Sequence, residues 1–267
     1  MRRRALILVA ALATGCSPAL REPPSVASLA SKQAPVTLPD PASLLREADL
    51  RWAKRPDVAA VREAEALYLR AAQVDENDVL GLIGATRTKA WLIDHERDSK
   101  LRAEMAVSAV QTAQWCKRRE PELSVCEYWL AVAVGLQARE VRLTADDGLK
   151  TMVPALQFAI EKDPLYDDAG PHRVMALVLL RAPAWPLGPG DVEAGLEHAR
   201  HAVALRPDYP PNVFALAEAL AANKDRDGAR EAYIKGKALA AALRDASDPD
   251  APFWIVEADE ALAKLRP

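Results

Sequence analysis

The pattern that most constrains the fold of this chain is a recurring arrangement of small residues and prolines. Two copies span residues 152–164 and 195–207, and in each an apolar helical stretch ends in Ala-x-x-x-x-Pro. In a third copy Gly236 lies 34 residues after Ala202 of the second, and a fourth copy at residues 64–71 keeps the same internal spacing. Small side chains let helices pack closely, and proline ends a helix. The chain is therefore predicted to fold as a series of antiparallel helix pairs.

A step of 34 residues is the period of the tetratricopeptide repeat (TPR), and Ala229, Tyr233 and Gly236 occupy the small, aromatic and small positions of its second helix. Half of the residues are apolar but only 5% are aromatic. This composition favours helices over a β-sandwich or barrel. We predict an all-α, TPR-like solenoid of helical hairpins over residues 42–267, with about eleven helices and a concave groove.

One step between copies is longer than this period. Ala159 and Ala202 are 43 residues apart, nine more than the repeat requires. The excess coincides with the Pro- and Gly-rich stretch 181–190, which predicts a loop between two helices. Asp191 is placed to cap the helix that follows this loop.

The N-terminus has the pattern of an export signal. Three arginines precede the apolar stretch Ala5–Ala13, which is about half the length needed to span a bilayer. The following Ala13-Thr14-Gly15-Cys16 resembles the bacterial lipobox, in which the cysteine becomes the acylated first residue. We predict a lipoprotein signal peptide at residues 1–15 and lipidation of Cys16; the alternative is an ordinary cleaved signal with an incidental cysteine. Because Ser17 is not an Asp retention signal, the expected location is the outer membrane, facing the periplasm.

Residues 16–41 contain six prolines among Ser, Ala and charged residues. Such a stretch buries little apolar surface, so it is predicted to be a disordered tether between the lipid anchor and the helical domain. Its expected role is reach, because its length sets how far the domain can stand from the membrane.

The charge of the chain argues against nucleic acid as a partner. The formal net charge is −3, and removal of the signal peptide leaves 32 basic and 38 acidic side chains. The basic residues are scattered among acidic ones and form no stripe that would follow a phosphate backbone.

Two cysteines remain after Cys16. Cys116 and Cys126 flank a Pro-containing segment between two predicted helices. In an oxidising periplasm such a pair favours a disulfide that closes the hairpin, and the alternative is a pair of reduced, buried thiols or a redox pair. No Cys-x-x-Cys is present, so redox catalysis is not predicted.

The sequence shows no constellation for catalysis. There is no Gly-x-Ser-x-Gly, no phosphate-binding glycine loop and no His-Glu-x-x-His. His198 and His201 are spaced to share one side of a helix, but further metal ligands are missing, and surface histidines explain the pair more simply. His172 follows a Gly-Pro pair near Asp167, where polar capping is favoured over an acid/base role. We predict neither enzyme activity nor a cofactor or metal.

With these residues in view, the chain resembles the TPR lipoprotein subunit, or T-component, of tripartite ATP-independent periplasmic (TRAP) transporters. The matching stretches are residues 128–131, 163–173, 186–194 and 198–209, within a resemblance that covers residues 60–265. The Gly-Pro-His and Pro-Leu-Gly loops are more diagnostic than the TPR spacing, although an extra proline at position 189 departs from the family's tighter glycine turn.

The resemblance implies a periplasmic scaffold that binds the transporter's solute-binding protein. It also implies that copies of the chain can form a homo-oligomer with an internal cavity through which a hydrophobic ligand passes. Trp185, Tyr166, His172 and Arg173 are then candidate contact positions. The competing interpretation is structural, with Trp185 packed over its own proline-rich loop and Tyr166 and Arg173 ordering a turn.

Two other functions fit the same sequence. A TPR lipoprotein that acts as an assembly factor or pilotin for an outer-membrane machine needs only an anchor, a tether and a groove. A small-molecule or metal-binding protein that uses His198 and His201 belongs to a different class. All three interpretations describe binding rather than chemistry.

Overall fold

A computed structural model describes residues 17–29, 40–77 and 79–265. Within these ranges the chain forms twelve α-helices and a short 3₁₀ turn at Arg142–Thr144. The predicted signal peptide at residues 1–15 and the predicted lipidation site Cys16 lie outside the described residues. The helices are α1 (Val26–Leu29), α2 (Pro41–Trp52), α3 (Val58–Val74), α4 (Leu80–His95), α5 (Ser99–Arg119), α6 (Ser124–Glu140), α7 (Ala145–Lys162), α8 (Tyr166–Arg181), α9 (Val192–Leu205), α10 (Pro210–Ala222), α11 (Arg226–Asp245) and α12 (Ala251–Lys264).

The helices stack as hairpins. From α2 to α11, each even-numbered helix packs against the odd-numbered helix that follows it, and successive hairpins pack side by side with α12 at the end. The architecture confirms the all-α solenoid and the eleven helices predicted from about residue 42. No helix in the described part of the chain is both long and apolar enough to cross a bilayer.

The small residues of the repeat pattern lie where helices approach one another. Ala202 and Ala229 are fully buried. A Cβ atom added to Gly236 would lie 2.4 Å from the ring of Phe214 on the neighbouring helix, so only glycine fits this contact. The spacing seen in the sequence therefore follows from close helix packing.

The extended step of the repeat is a loop, as predicted. Residues 182–191 connect α8 to α9, and the carboxylate of Asp191 accepts hydrogen bonds from the amides of Glu193 and Ala194, each at 3.0 Å. This satisfies two of the amides that a helix N-terminus leaves without internal partners and confirms the predicted cap.

The segment before α2 differs from the expectation of a disordered tether. Residues 17–29 are ordered and run along α5, with Ala19 and Val26 buried among core residues. The indole of Trp115 donates a hydrogen bond to the carbonyl of Pro24 at 2.7 Å. A proline-rich stretch buries little surface by itself, but these side chains fill a groove that the helices provide. Residues 30–39, the remainder of the predicted tether before α2, are not described.

The last helix contacts the beginning of the solenoid. The carboxylate of Asp250, directly before α12, accepts hydrogen bonds from the guanidinium of Arg55 at 3.1–3.2 Å and from the indole of Trp91 at 3.0 Å. Phe253 packs edge-on against Trp91 and against His95, which stacks on Trp91. The row of hairpins is thus closed by side chains that join residues 195 positions apart.

Candidate functional site

The closed stack encloses an inner surface with an apolar cavity. The cavity has a volume of about 430 Å³ and lies between α6, the start of α7 and α8. A cavity of this size, with a mostly apolar lining and a few polar groups, is typical of binding sites. Its apolar walls include Val132, Leu136, Leu149, Val174, Leu177 and Val178.

Two arginines border the cavity, and each is paired with an acid on a neighbouring hairpin. Arg139 on α6 lies 2.8 Å from Asp94 on α4. Arg181 on α8 makes a two-bond contact with Glu218 on α10, at 2.6 and 2.8 Å. These pairs involve the first helices of four successive hairpins along the inner surface. The mouth of the cavity is therefore charged although its wall is apolar.

α12 adds a further carboxylate to this inner surface. Desolvation raises the pKa of Glu257 above its usual value, the charge of Arg181 opposes the rise, and Asp94 and Glu218 add to it. The Glu257 carboxylate thus interacts electrostatically with charged side chains of α4, α8 and α10. The inner surface can bind a partner that has an apolar part for the cavity and polar groups for its charged border.

The stretch most diagnostic of the resemblance forms an unusual turn at the start of α8. Asp167, Asp168 and Ala169 all have a left-handed backbone, with φ between 50° and 62°. Such residues are costly outside glycine, at roughly 1–2 kcal/mol each. Gly170 follows, and a Cβ there would lie 2.5 Å from the hydroxyl of Tyr128. Gly170 is therefore required by the close contact of this turn with α6.

Arg173 fixes the left-handed turn. Its guanidinium donates to the carbonyl of Asp167 at 3.1 Å, to that of Asp168 at 3.2 Å, and to the side-chain oxygen of Asn212 at 3.0 Å. A further nitrogen donates to the Asp167 carboxylate at 2.8 Å, and that carboxylate also accepts a bond from the hydroxyl of Tyr128. Burial raises the pKa of Tyr128 well above its usual value, so its hydroxyl remains a donor. Arg173 is buried and uses its donors inside the protein.

Tyr166 also packs within the protein. Its hydroxyl accepts a hydrogen bond from the indole of Trp129 at 2.8 Å, and its ring meets Tyr128 edge-on. For Tyr166 and Arg173 the structure thus shows the contacts that the structural interpretation requires. The sequence gives no sign of Tyr128 and Asn212 as their partners, because both lie in other hairpins.

The structure brings His172 together with His198 and His201, which the sequence places on a different helix. The Nδ1 atoms of His172 and His198 are 2.9 Å apart, and the rings of His172 and His201 are 5.2 Å apart. Burial, followed by the two neighbouring imidazoles, lowers the pKa of His172 to about 4. Across the described ranges, no group of three or more His, Cys, Asp or Glu is arranged to hold a metal ion.

Trp185 behaves differently from the other three candidates. Its side chain is 86% exposed at the tip of the α8–α9 loop, and Leu187 beside it is 82% exposed. The loop itself is held by backbone bonds, from Gly190 to Pro183 at 2.8 Å and from Asp191 to Leu179 at 2.9 Å. Trp185 does not pack over its loop in this structure. Trp185 and Leu187 thus present apolar side chains to solvent at this loop.

Cys116 and Cys126 are joined by a disulfide. The bond closes the turn between α5 and α6, and both residues are buried against Val26 and Leu82. The sequence favours this pairing over two reduced thiols.

Comparison with known proteins agrees with this architecture. No protein-family model and no curated protein sequence matches the chain significantly. Among solved structures, a thermophilic TPR protein of Thermus thermophilus, TTC0263, is 21% identical over 82% of this chain and 98% of that one, with a TM-score of 0.60. The chain has a TPR fold. YrrB, described as a TPR protein with an unusual peptide-binding site, is less similar, with 17% identity, 83% and 92% coverage and a TM-score of 0.43.

Proposed function

We propose that this TPR protein is an exported, lipid-anchored scaffold that binds another protein in the periplasm and performs no chemistry itself. The observation that carries the proposal is the closed inner surface, where a cavity of about 430 Å³ is bordered by Arg139 and Arg181. A TPR solenoid of this kind offers its concave side to a peptide, a helix or a loop of a partner. Both ion pairs at the border join two hairpins, so the surface is preorganised for binding.

The partner we propose is the solute-binding protein of a TRAP transporter. The support is the resemblance carried by residues 163–173 and 186–194, together with a charged border suited to a soluble partner. Lipidation at Cys16 would keep the scaffold in the outer membrane, facing the periplasm. The proposal predicts that Cys16→Ser releases the protein from membranes; a variant that stays bound as firmly as the natural chain removes the anchor from this function.

The binding surface is tested by capture from an envelope extract of the native host. The bait is the mature chain with Cys16→Ser, and captured proteins are identified by mass spectrometry. Leu177→Glu places a charge in the apolar wall of the cavity, whereas Ile234→Glu makes the same change at an exposed position of α11. Circular dichroism establishes that both variants remain folded.

We expect the natural sequence and Ile234→Glu to recover a periplasmic solute-binding protein and Leu177→Glu to lose it. Recovery of a secretin or another outer-membrane assembly instead would favour the assembly-factor alternative. Equal recovery by a folded Leu177→Glu variant would show that the inner surface is not where the partner binds.

A further inference from the structure

Two neighbouring connections of the solenoid carry the most exposed large apolar side chains of the described residues. Among the described residues, the three most exposed large apolar side chains are Trp185 at 86%, Leu187 at 82% and Leu143 at 68%. Leu143 lies in the connection between α6 and α7, and the other two lie in the connection between α8 and α9. α6 and α8 are the first helices of two neighbouring hairpins and run in the same direction. Their C-terminal ends, where the two connections begin, therefore lie at the same edge.

The two connections are also close in space. Ala145 and Leu149, at the start of α7, and Ala182 and Pro183, at the start of the α8–α9 loop, line the same cavity. Leu143 is two residues before the first pair and Trp185 two residues after the second. We call the segments 141–145 and 182–191 together the anchor edge.

The N-terminal segment begins at this edge. The amide of Ser17 donates a hydrogen bond to the carbonyl of Leu143 at 3.0 Å, and the amide of Ala19 donates to the carboxylate of Asp147 at 2.8 Å. From there the segment runs along α5 towards the opposite edge, where Val26 packs near the disulfide. Cys16 is separated from Ser17 by a single peptide bond, so a lipid on Cys16 would be attached at the anchor edge itself.

These observations lead to one arrangement. We propose that the anchor edge lies directly on the lipid surface, with Trp185, Leu187 and Leu143 inserted at the membrane interface. Tryptophan is enriched at this depth because its ring is apolar and its indole N–H is polar. Inserted apolar side chains add buried apolar area to that of the lipid and so strengthen and orient the attachment. The segment at residues 17–29 then acts as a strap that sets the orientation of the domain.

The proposal rests on the lipidation of Cys16 in the proposed function, and it fixes which way the solenoid faces. The edge formed by the α7–α8 turn and by the α5–α6 turn would point away from the membrane. A domain on a flexible tether would have no such preference.

The test attaches the protein to vesicles independently of acylation in the cell. The chain beginning at Cys16 is coupled through that thiol, under non-reducing conditions, to a maleimide lipid in phosphatidylcholine vesicles with brominated acyl chains. Bromine quenches tryptophan at the interface. The chain has six tryptophans, so Trp185→Phe is compared with the natural sequence, and Trp254→Phe, whose ring packs against Tyr209 at the opposite edge, is the matched control.

We expect Trp185→Phe to remove about half or more of the quenching, because Trp185 is the residue placed at the interface, and Trp254→Phe to leave it unchanged. Hydrogen exchange on the coupled protein should slow at residues 141–145 and 184–190 and stay the same at residues 163–168. Quenching that is equal in Trp185→Phe and the natural sequence overturns the proposal.

The outcomes separate this proposal from the proposed function. Loss of the captured solute-binding protein on Trp185→Ser, together with no quenching of Trp185, would make the loop a protein contact and overturn membrane docking. Failure of quenching in the coupled protein leaves lipidation and partner binding in place. Membrane attachment of the Cys16→Ser variant in cells contradicts lipidation, whereas the vesicle result still decides whether the edge contacts lipid.

Discussion

The turn that begins α8 and the loop that follows α8 differ in where their side chains find partners. At the turn, Asp167 is bound by Tyr128 and by Arg173, and Asn212 holds the backbone from another hairpin. In the loop, backbone hydrogen bonds fix the shape, and the side chain of Trp185 projects into solvent. Both segments lie in the stretches from which the sequence predicts a likeness to TRAP T-components.

The difference separates two reasons for a distinctive motif. The turn motif has a structural cause, since three left-handed residues of roughly 1–2 kcal/mol each need a compensating network. The loop motif is held by backbone hydrogen bonds, and the side chain of Trp185 that it presents is exposed to solvent. We therefore expect substitutions at the turn to change stability and substitutions at the loop to change contacts with a partner or a membrane.

The largest effect is expected at Arg173. Arg173→Met removes the buried cation that pairs with the Asp167 carboxylate and one donor from each of the carbonyls of Asp167 and Asp168, so we expect the free energy of unfolding to fall by about 3–5 kcal/mol. Urea unfolding followed by circular dichroism measures it. Arg181→Met is the matched control, because its exposed pair with Glu218 should contribute no more than about 1 kcal/mol. Similar losses in the two variants would show that buried Arg173 contributes no more to stability than exposed Arg181 does, and would contradict the prediction.

A smaller effect is expected where the chain closes a turn covalently. Cys116 and Cys126 are ten residues apart, and loss of a crosslink over so short a loop costs about 2–3 kcal/mol. We expect this loss in Cys116→Ala/Cys126→Ala, made with Cys16→Ser, relative to Cys16→Ser alone. Dithiothreitol should produce the same loss in the parent and none in the double variant. An unchanged unfolding midpoint on reduction would contradict the prediction and leave Arg173 as the dominant constraint on turn geometry.

The sequence predicted the features that depend on packing within one helix or between adjacent helices. The step of 34 residues, the buried Ala202 and Ala229, and the cap at Asp191 all depend on contacts within or between adjacent helices, where the size of one side chain decides the packing. The closure of the solenoid could not be predicted in this way. It depends on Arg55 and Asp250, which are 195 residues apart and lie in segments without a recognisable pattern.

The N-terminal segment shows a second limit. Proline-rich composition predicts disorder because such a stretch has little apolar surface of its own, yet Ala19, Pro23 and Val26 are buried here. The groove that receives them is formed by helices from later in the chain, among them α3 and α5. Composition reports what a segment can bury by itself and says nothing about a surface that other segments provide.

The histidines beside the turn provide a test by pH. The pKa of His172 is lowered to about 4 in the folded chain, against 6.5 in the unfolded chain. Between these values the unfolded chain binds more protons, so stability is highest above pH 6.5 and falls as the pH falls through this window. We expect the natural sequence to lose about 1–2 kcal/mol more than His172→Gln between about pH 7 and about pH 5. Parallel pH profiles of urea unfolding would contradict this.

The smallest effect on stability is expected at Trp185. Because its side chain is 86% exposed, Trp185→Ser should change the free energy of unfolding by no more than about 0.5 kcal/mol. Gly190→Ala in the same loop is the contrast, since a Cβ there would lie 2.2 Å from the carbonyl of Ala182 and should cost about 1–3 kcal/mol. Urea unfolding of the two variants separates the shape of the loop from the side chain it presents. If Trp185→Ser destabilises the fold as much as Gly190→Ala does, the tryptophan packs on its loop, and the contact role of the anchor edge loses its basis.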